Sequence, residues 1–296
     1  MDSREEEGAQ RLARCHGNAI EAYRALARST RNGAIEESWE LVLVYTGDSD
    51  SLGNPAFVTR SPGDPSAVVR RVTSFFAERR APWILLSLPE ATGSMAPAAR
   101  AAGLRDEGDF PGMLLDPLPR SVPPEPPGFS VRPVVSLAGL EDLQRTGAKA
   151  YGSTYSPPDP AWLETPGLTL YVGYHEGQPV ATGALIVAQR IAGIAYIGTA
   201  PEFRRRGFAE AIVRRAAHEG RTRGCEAAYL WSTPSGRGVY ERLGFRRILD
   251  YHLWSAPHSP LTSAVRPAPR PVARGPAPTG GGSPSSPSAV GTDRSS

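Results

Sequence analysis

Three consecutive arginines, Arg204, Arg205 and Arg206, run directly into Gly207, Phe208 and Ala209. Apolar residues follow at helical spacing: Phe208, Ile212, Val213, Ala216 and Ala217. The arginines therefore sit on a turn that opens a helix. The first turn of a helix has unpaired N–H groups and the positive end of the macrodipole. Gly207 and Ala209 let an anion approach that backbone, and the guanidinium groups add fork-like donors. Such a turn can cradle one pyrophosphate without a metal. On a plain surface helix, acidic residues would be expected at this end, so three cations there point to an anionic ligand.

A second cluster lies 36 residues further on, counted from Arg204 to Tyr240: Tyr240-Glu241-Arg242-Leu243-Gly244-Phe245. It reads as a short helix over 236–243 that stops at a glycine. Between the two clusters the spacing predicts a helix over 207–223 and a strand over 227–232. Strands are also predicted over 129–133, 168–174, 180–188, 191–199 and 245–254.

The first part of the chain follows a similar order. A helix runs through Ile20 and Leu26, with strands over 39–45, 56–59 and 83–88. Helices are predicted over 67–79 and 96–102, and a last strand over 112–115. Phe57 to Gly103 spans 46 residues and Ile197 to Gly244 spans 47. Both stretches end in helix, Gly, apolar residue, Arg. This is a weak internal repeat. The fold class is α/β (α+β), two mixed-sheet units in tandem. The first unit covers 1–118 and a Pro-rich linker covers 119–127. The second unit covers 128–255 and a disordered tail covers 256–296. The tail has no Phe, Trp or Tyr and is dominated by Pro, Gly, Ser and Ala.

Composition narrows the function. The 296 residues are 40% hydrophobic, enough for a substantial core. The net charge of +3 belongs to the tail, because residues 1–255 hold 29 basic and 29 acidic side chains. That argues against a nucleic-acid partner. There is no apolar run long enough for a membrane span and no apolar segment in the first 20 residues, so no membrane association and a cytoplasmic location are expected. Cys15 and Cys225 are too few for a disulfide framework or a four-ligand zinc site, so no metal is expected. The lone Lys149 does not belong to a Walker A loop. His175 and His218 are isolated and read as surface residues.

The pattern Arg204-x-x-Gly207-x-Ala209 after a strand, with Pro201-Glu202-Phe203 before it and Tyr240 ahead of Leu243-Gly244-Phe245, resembles the GNAT superfamily of acyl-CoA-dependent N-acyltransferases. The resemblance covers about 129–254. It implies an N-acetyltransferase moving an acetyl group from acetyl-CoA to an amine-bearing small molecule or peptide by direct attack. Backbone groups of Ile197, Gly198 and Thr199 would pair with the pantetheine arm. Arg204, Arg205, Arg206, Gly207, Phe208 and Ala209 would hold the pyrophosphate. Tyr240 would donate a proton to the departing thiolate, a phenol of pKa about 10 facing a thiol of about 8.5. Thr233 stands where the family often has an Asn.

Glu202 and Glu241 adjoin the motifs, and a water relay is the alternative to either as base. The resemblance also places the interrupted stretch 152–167 over the acceptor, making Tyr155 and Trp162 candidate substrate contacts, with ordinary loop anchoring as the alternative. In the first unit the equivalent turn is Arg60-Ser61-Pro62-Gly63-Asp64-Pro65, where Asp64 repels phosphate and Pro65 removes a donor. That unit is expected not to bind CoA. It would support the sheet, wall the acceptor pocket or sense a ligand. Two fused units predict a monomer. The competing reading is a catalytically inactive acyl-CoA-binding regulator or scaffold.

Overall fold

A computed structural model describes residues 3–233, 236–258 and 261. In chain order the elements are α1 (Ser3–Ser29), β1 (Ala34–Glu37), β2 (Leu41–Tyr45), β3 (Pro55–Val58), α2 (Pro65–Ala77), β4 (Ile84–Ser87), α3 (Pro89–Ala101), β5 (Arg105–Leu115), β6 (Phe129–Pro133), α4 (Leu137–Tyr151), β7 (Leu168–His175), β8 (Gln178–Ala188), β9 (Ile191–Thr199), α5 (Phe208–Thr222), β10 (Ala227–Trp231), α6 (Arg237–Arg242) and β11 (Arg246–Ser255). Residues 259–260 and 262–296, most of the expected tail, lie outside the described residues.

The short apolar runs become strands buried on both faces. In β2, Val42 and Val44 pack on one side of the sheet while Leu41 and Leu43 pack on the other. That alternation is the pleat acting on an unbroken apolar run. Trp39, expected inside this strand, lies before it and is exposed, with the Arg60 guanidinium 4.0 Å above its ring.

All eleven strands join one mixed sheet in the order β1-β2-β3-β4-β11-β5-β10-β9-β8-β7-β6. Two neighbouring pairs are parallel, β3 with β4 and β9 with β10, and the rest are antiparallel. Each parallel pair is bridged by a helix, α2 in one case and α5 in the other. The last strands are then exchanged. β5, from the first part of the chain, pairs with β10, and β11, from its last part, pairs with β4. β5 and β11 meet along almost their whole length, from Arg105↔Ser255 to Leu114↔Arg246. His252 of β11 is buried in this seam with Nδ1 2.8 Å from Asp109 and Nε2 2.9 Å from Asp106 of β5.

Helices α1 and α4 cover one face of the sheet, and α2, α3 and α5 cover the other. The cores follow from the helical stripes. α5 buries Phe208, Ile212, Val213, Ala216 and Ala217, the stripe read from the sequence. α2 buries Val68, Val69, Val72, Phe75 and Phe76, and begins at Asp64, whose side chain accepts from the Ala67 amide at 2.9 Å.

Four elements depart from expectation, the first being β1 (Ala34–Glu37), where no strand is predicted. α4 was not anticipated, yet its signals are present. Ser136 caps it by accepting from the Gly139 amide at 3.2 Å, and Gly152 ends it in the left-handed region. α3 begins at Pro89 instead of near residue 96 and carries Pro97 inside it. β5 begins at Arg105 instead of 112. Its first residues, R-D-E-G-D, have no strand propensity, and the ladder to β11 imposes the conformation.

His16 of α1 lies under this sheet, stacked on Tyr251 with its Nδ1 2.8 Å from the Tyr251 hydroxyl, and its Nε2 is buried without a partner. Burial lowers its pKa from 6.5 to about 4. The folded chain therefore takes up this proton later than the unfolded chain on acidification. The stability it contributes is complete above pH 6.5 and is lost as pH falls from 6.5 through 4. The shift corresponds to roughly 3 kcal/mol. Denaturant melts of His16→Phe should show that acid-side loss sharply reduced relative to the native chain.

Candidate active site

The site begins where two neighbouring strands part. β9 and β10 pair from Ala227↔Ile191 to Tyr229↔Gly193 and no further, although β9 continues to Thr199. On its other flank β9 stays paired with β8 to Thr199↔Ala181, with a register shift between Thr182 and Ala184. Tyr196 lies in that bulge with φ 56°, a conformation costly for a non-glycine residue. Its hydroxyl donates to Gln144 Oε1 at 3.1 Å, and its carbonyl accepts from Thr182 Oγ1 at 2.9 Å. Gly147 of α4 is needed here, because a Cβ would collide with the Tyr196 hydroxyl.

Past the free end of β9 the chain makes a tight turn and enters α5. Arg205 takes φ 63° and Gly207 takes φ 81°. The first helical bond of α5 from this turn is Ala211 N to Gly207 O at 3.0 Å. The amides of Phe208, Ala209 and Glu210 precede it and face outward from the helix end. Arg204 does not point at this cradle as a free cation. Its Nε donates to Thr199 O at 3.2 Å and its Nη2 to Ala150 O at 2.8 Å, tying β9 to the end of α4. Arg206 turns away and stacks on Phe203 at 5.2 Å.

Across the gap, α6 presents Tyr240, 7% exposed, with Phe245 edge-on to its ring at 6.0 Å. Burial pushes its pKa up to about 12. The hydroxyl is therefore held neutral, as a hydrogen-bond donor, throughout the ordinary pH range. Thr233 starts this helix: its Oγ1 accepts from the Gly236 amide at 3.2 Å and its carbonyl from the Arg237 amide at 3.1 Å.

These parts border one cavity of about 1160 Å³. Ile197, Gly198, Thr199, Arg204, Arg205, Gly207, Phe208, Ala209, Thr233, Tyr240 and Trp162 all line it. Arg206 and Tyr155 do not. Tyr155 is outside, under the Arg145 guanidinium at 4.7 Å. Glu202 and Glu241 are also outside the wall, and Glu241 pairs with Arg237 at 2.7 Å. His175 is not a surface residue. It is half-buried, its ring 5.2 Å from Phe208, because β7 carries it under the start of α5.

The rest of the wall was not foreseen residue by residue. Asn18 and Tyr23 come from α1, Asp48 and Asp50 from the loop between β2 and β3, and Phe110 from β5. Tyr196 and Trp231 stand beside motifs that were read, on β9 and β10. The first-half residues carry no local signal. They reach the cavity because α1 lies across β8 and β9 and because β5 is inserted next to β10.

Residues 137–245 match the model of the Acetyltransferase (GNAT) family. Among solved structures, a GCN5-related N-acetyltransferase from Kribbella flavida is 22% identical, with a TM-score of 0.61 over 82% of this chain and 95% of that one. A second, from Sphaerobacter thermophilus, is 19% identical with a TM-score of 0.52 over 78% and 84%. A GCN5-related N-acetyltransferase-like protein from Streptococcus suis is 16% identical with a TM-score of 0.53 over 84% and 98%. No curated protein matches the chain. Residues 137–245 are thus similar to that family, and the mixed sheet has the fold of these solved structures.

Gly207 tests the cradle independently of any ligand. Space beside it is open, with Pro126 Cγ the nearest atom to a built Cβ at 3.7 Å, so a methyl group meets only the backbone strain of φ 81°. Gly207→Ala should lower stability by about 1 kcal/mol in a denaturant melt, without loss of the fold.

Proposed function

We propose that the protein is an N-acetyltransferase that carries an acetyl group from acetyl-CoA to an amine. The observation that carries this reading is the parted β9 and β10, lying between a turn of outward-facing amides and the buried hydroxyl of Tyr240. The residues fit such a co-substrate. The unpaired flank of β9 at Ile197, Gly198 and Thr199 offers strand-like hydrogen bonds to the amide-bearing pantetheine arm. The amides of Arg205 to Ala209 face a diphosphate, helped by the dipole of α5. Arg204 holds the turn in shape through its two carbonyl contacts.

Acetyl-CoA supplies an activated thioester. A neutral amine nitrogen forms a bond to the acyl carbon as the carbon–sulfur bond breaks, and the proton lost by nitrogen is balanced by the one gained at sulfur. Tyr240 acts at the sulfur. A hydroxyl with pKa about 12 stays protonated and stabilises the thiolate as it forms. The attack is direct, because Cys15 and Cys225 are buried and burial raises both thiols.

We also assign the co-substrate site to the second unit, 128–255. In the first unit the corresponding helix start is filled by the Asp64 side chain. The exchange of β5 and β11 within one chain supports a monomer.

Calorimetric titration with acetyl-CoA should give one site per chain. Tyr240→Phe should leave that affinity within about twofold and lower turnover by about 100-fold in a thiol-release assay. Unchanged turnover removes Tyr240 from the mechanism. No binding of acetyl-CoA overturns the reading as a whole.

A further inference from the structure

Five tyrosines border the cavity: Tyr23, Tyr151, Tyr196, Tyr229 and Tyr240. Their hydroxyls differ in what they already hold. Tyr196 donates to Gln144 Oε1 at 3.1 Å. Tyr229 accepts from Trp231 Nε1 at 3.0 Å and is hydrogen-bonded to Tyr251. The hydroxyls of Tyr151 and Tyr240 have no hydrogen-bond partner among the described residues. Tyr23 is free in the same sense, but the charges that act on it are those of Asp48 and Asp50.

Tyr151 is the last residue of α4 and is half-buried. Its place is fixed from three directions. Gly152, with φ 68°, stops the helix directly behind it. The carbonyl before it, Ala150 O, accepts from Arg204 Nη2 at 2.8 Å, which ties this helix end to the turn after β9. A Cβ built on Gly198 of β9 would lie 2.8 Å from Ala150 Cβ and 3.4 Å from Tyr151 Cε2. The missing side chain at Gly198 thus lets the Tyr151 ring lie against the unpaired stretch of β9. Burial chiefly raises its hydroxyl well above the ordinary range, and Tyr240 adds to this ahead of Tyr196 and Asp50. The two free hydroxyls, one from α4 and one from α6, therefore lie within electrostatic reach of each other.

We propose that Tyr151 is a second catalytic residue, whose hydroxyl donates a hydrogen bond to the acyl oxygen of the thioester while Tyr240 acts at the sulfur. This assignment rests on the acetyl-transfer reading and adds a residue to it. The oxygen and the sulfur of a thioester are bonded to one carbon, so two neighbouring donors can attend one acyl group. Negative charge gathers on the oxygen as the amine nitrogen bonds to that carbon and the carbonyl electron pair moves to oxygen. The charge passes to sulfur as the carbonyl re-forms and the carbon–sulfur bond breaks. A donor at the sulfur alone answers only the second half of this sequence. In a water-poor cavity a donor already in place at the oxygen stabilises the charge without reorganisation. A phenol kept protonated by burial meets that need, because it donates throughout and gives up no proton. Two buried hydroxyls left unpaired are costly, and one acyl group satisfies both.

The test reads the bound acyl group and needs no acceptor. Acetyl-CoA isotope-labelled at the acyl carbon is bound to the full chain, and its carbonyl stretch is recorded by infrared difference spectroscopy. A hydrogen bond to the oxygen weakens the carbonyl bond, so the native complex should absorb at lower frequency than free acetyl-CoA. Tyr151→Phe keeps the ring against Gly198. It should lose most of that shift, with the Kd for acetyl-CoA within about twofold of the native value. Tyr240→Phe, which lacks the donor at sulfur, should keep the shift. Over a panel of primary amines read by thiol release, kcat for each amine used should fall about 100-fold in Tyr151→Phe. The native frequency retained in Tyr151→Phe, the shift lost in Tyr240→Phe instead, or an unchanged kcat overturns the inference and leaves the acetyl-transfer reading standing. Failure to bind acetyl-CoA overturns both. If Tyr151→Phe does not fold, the native complex decides alone: a lowered frequency supports the assignment, and the frequency of free acetyl-CoA overturns it.

Discussion

The parting of β9 from β10 constrains everything around it. Once Gly193 and Tyr229 are passed, the β10-facing polar groups of β9 have no protein ladder to join. Backbone groups left unpaired in a closed interior are costly, so the gap has to stay open to water or to a ligand. The bulge at Tyr196 bends β9 away, and it is held by Gln144, Thr182 and the close approach that Gly147 permits. The turn of Arg205 and Gly207 then has to reverse the chain within a few residues so that α5 can pack back on the same strands. That turn and the free end of β9 border the same cavity. The cradle and the gap are one feature seen from two sides.

The exchange of last strands follows from the same parting. β10, released from β9 at its far end, is supported on its other flank by β5 of the first unit. β11 is placed one position further out, between β4 and β5. Strands from both parts of the chain are interleaved in one sheet. The first part of the chain is needed for the cavity, because β5 flanks β10 and α1 lines the space. The turn after β3 carries the Asp64 cap of α2.

Legibility in the sequence tracked the range of the interactions. The strands 129–133 and 191–199 match the prediction to the residue, the first by its alternation of Phe129 and Val131 with Ser130 and Arg132, the second as a largely apolar run bounded by turn residues. The Arg204 to Ala209 turn and Tyr240 were legible because their chemistry is local. The polar start of β5 was not, since only β11 makes it a strand. α4 has no strong apolar periodicity to mark it and is signalled only by its two caps, Ser136 and Gly152. Arg204 and Arg206 were read as phosphate donors from residue type alone. The fold commits one to carbonyls and stacks the other on Phe203. Tyr23, Asp48 and Phe110 had no local mark. They are separated from the motif by most of the chain and meet it only through sheet topology.

Charge placement inside the cavity gives the last link. Burial raises Tyr240, Tyr151 and Tyr23 alike, so the phenols near the site stay neutral. Their environments then differ. Asp50 acts on Tyr151, and both loop carboxylates act on Tyr23, whereas burial alone raises Tyr240. Under the proposed transfer the one new charge is a thiolate beside Tyr240. A carboxylate close by would oppose that charge, and in a low-dielectric site the opposition is strong. Asp48 and Asp50 reach the cavity from the β2–β3 loop and Tyr240 reaches it from α6, so stretches far apart in the chain are brought to one wall-lined space by the shared sheet.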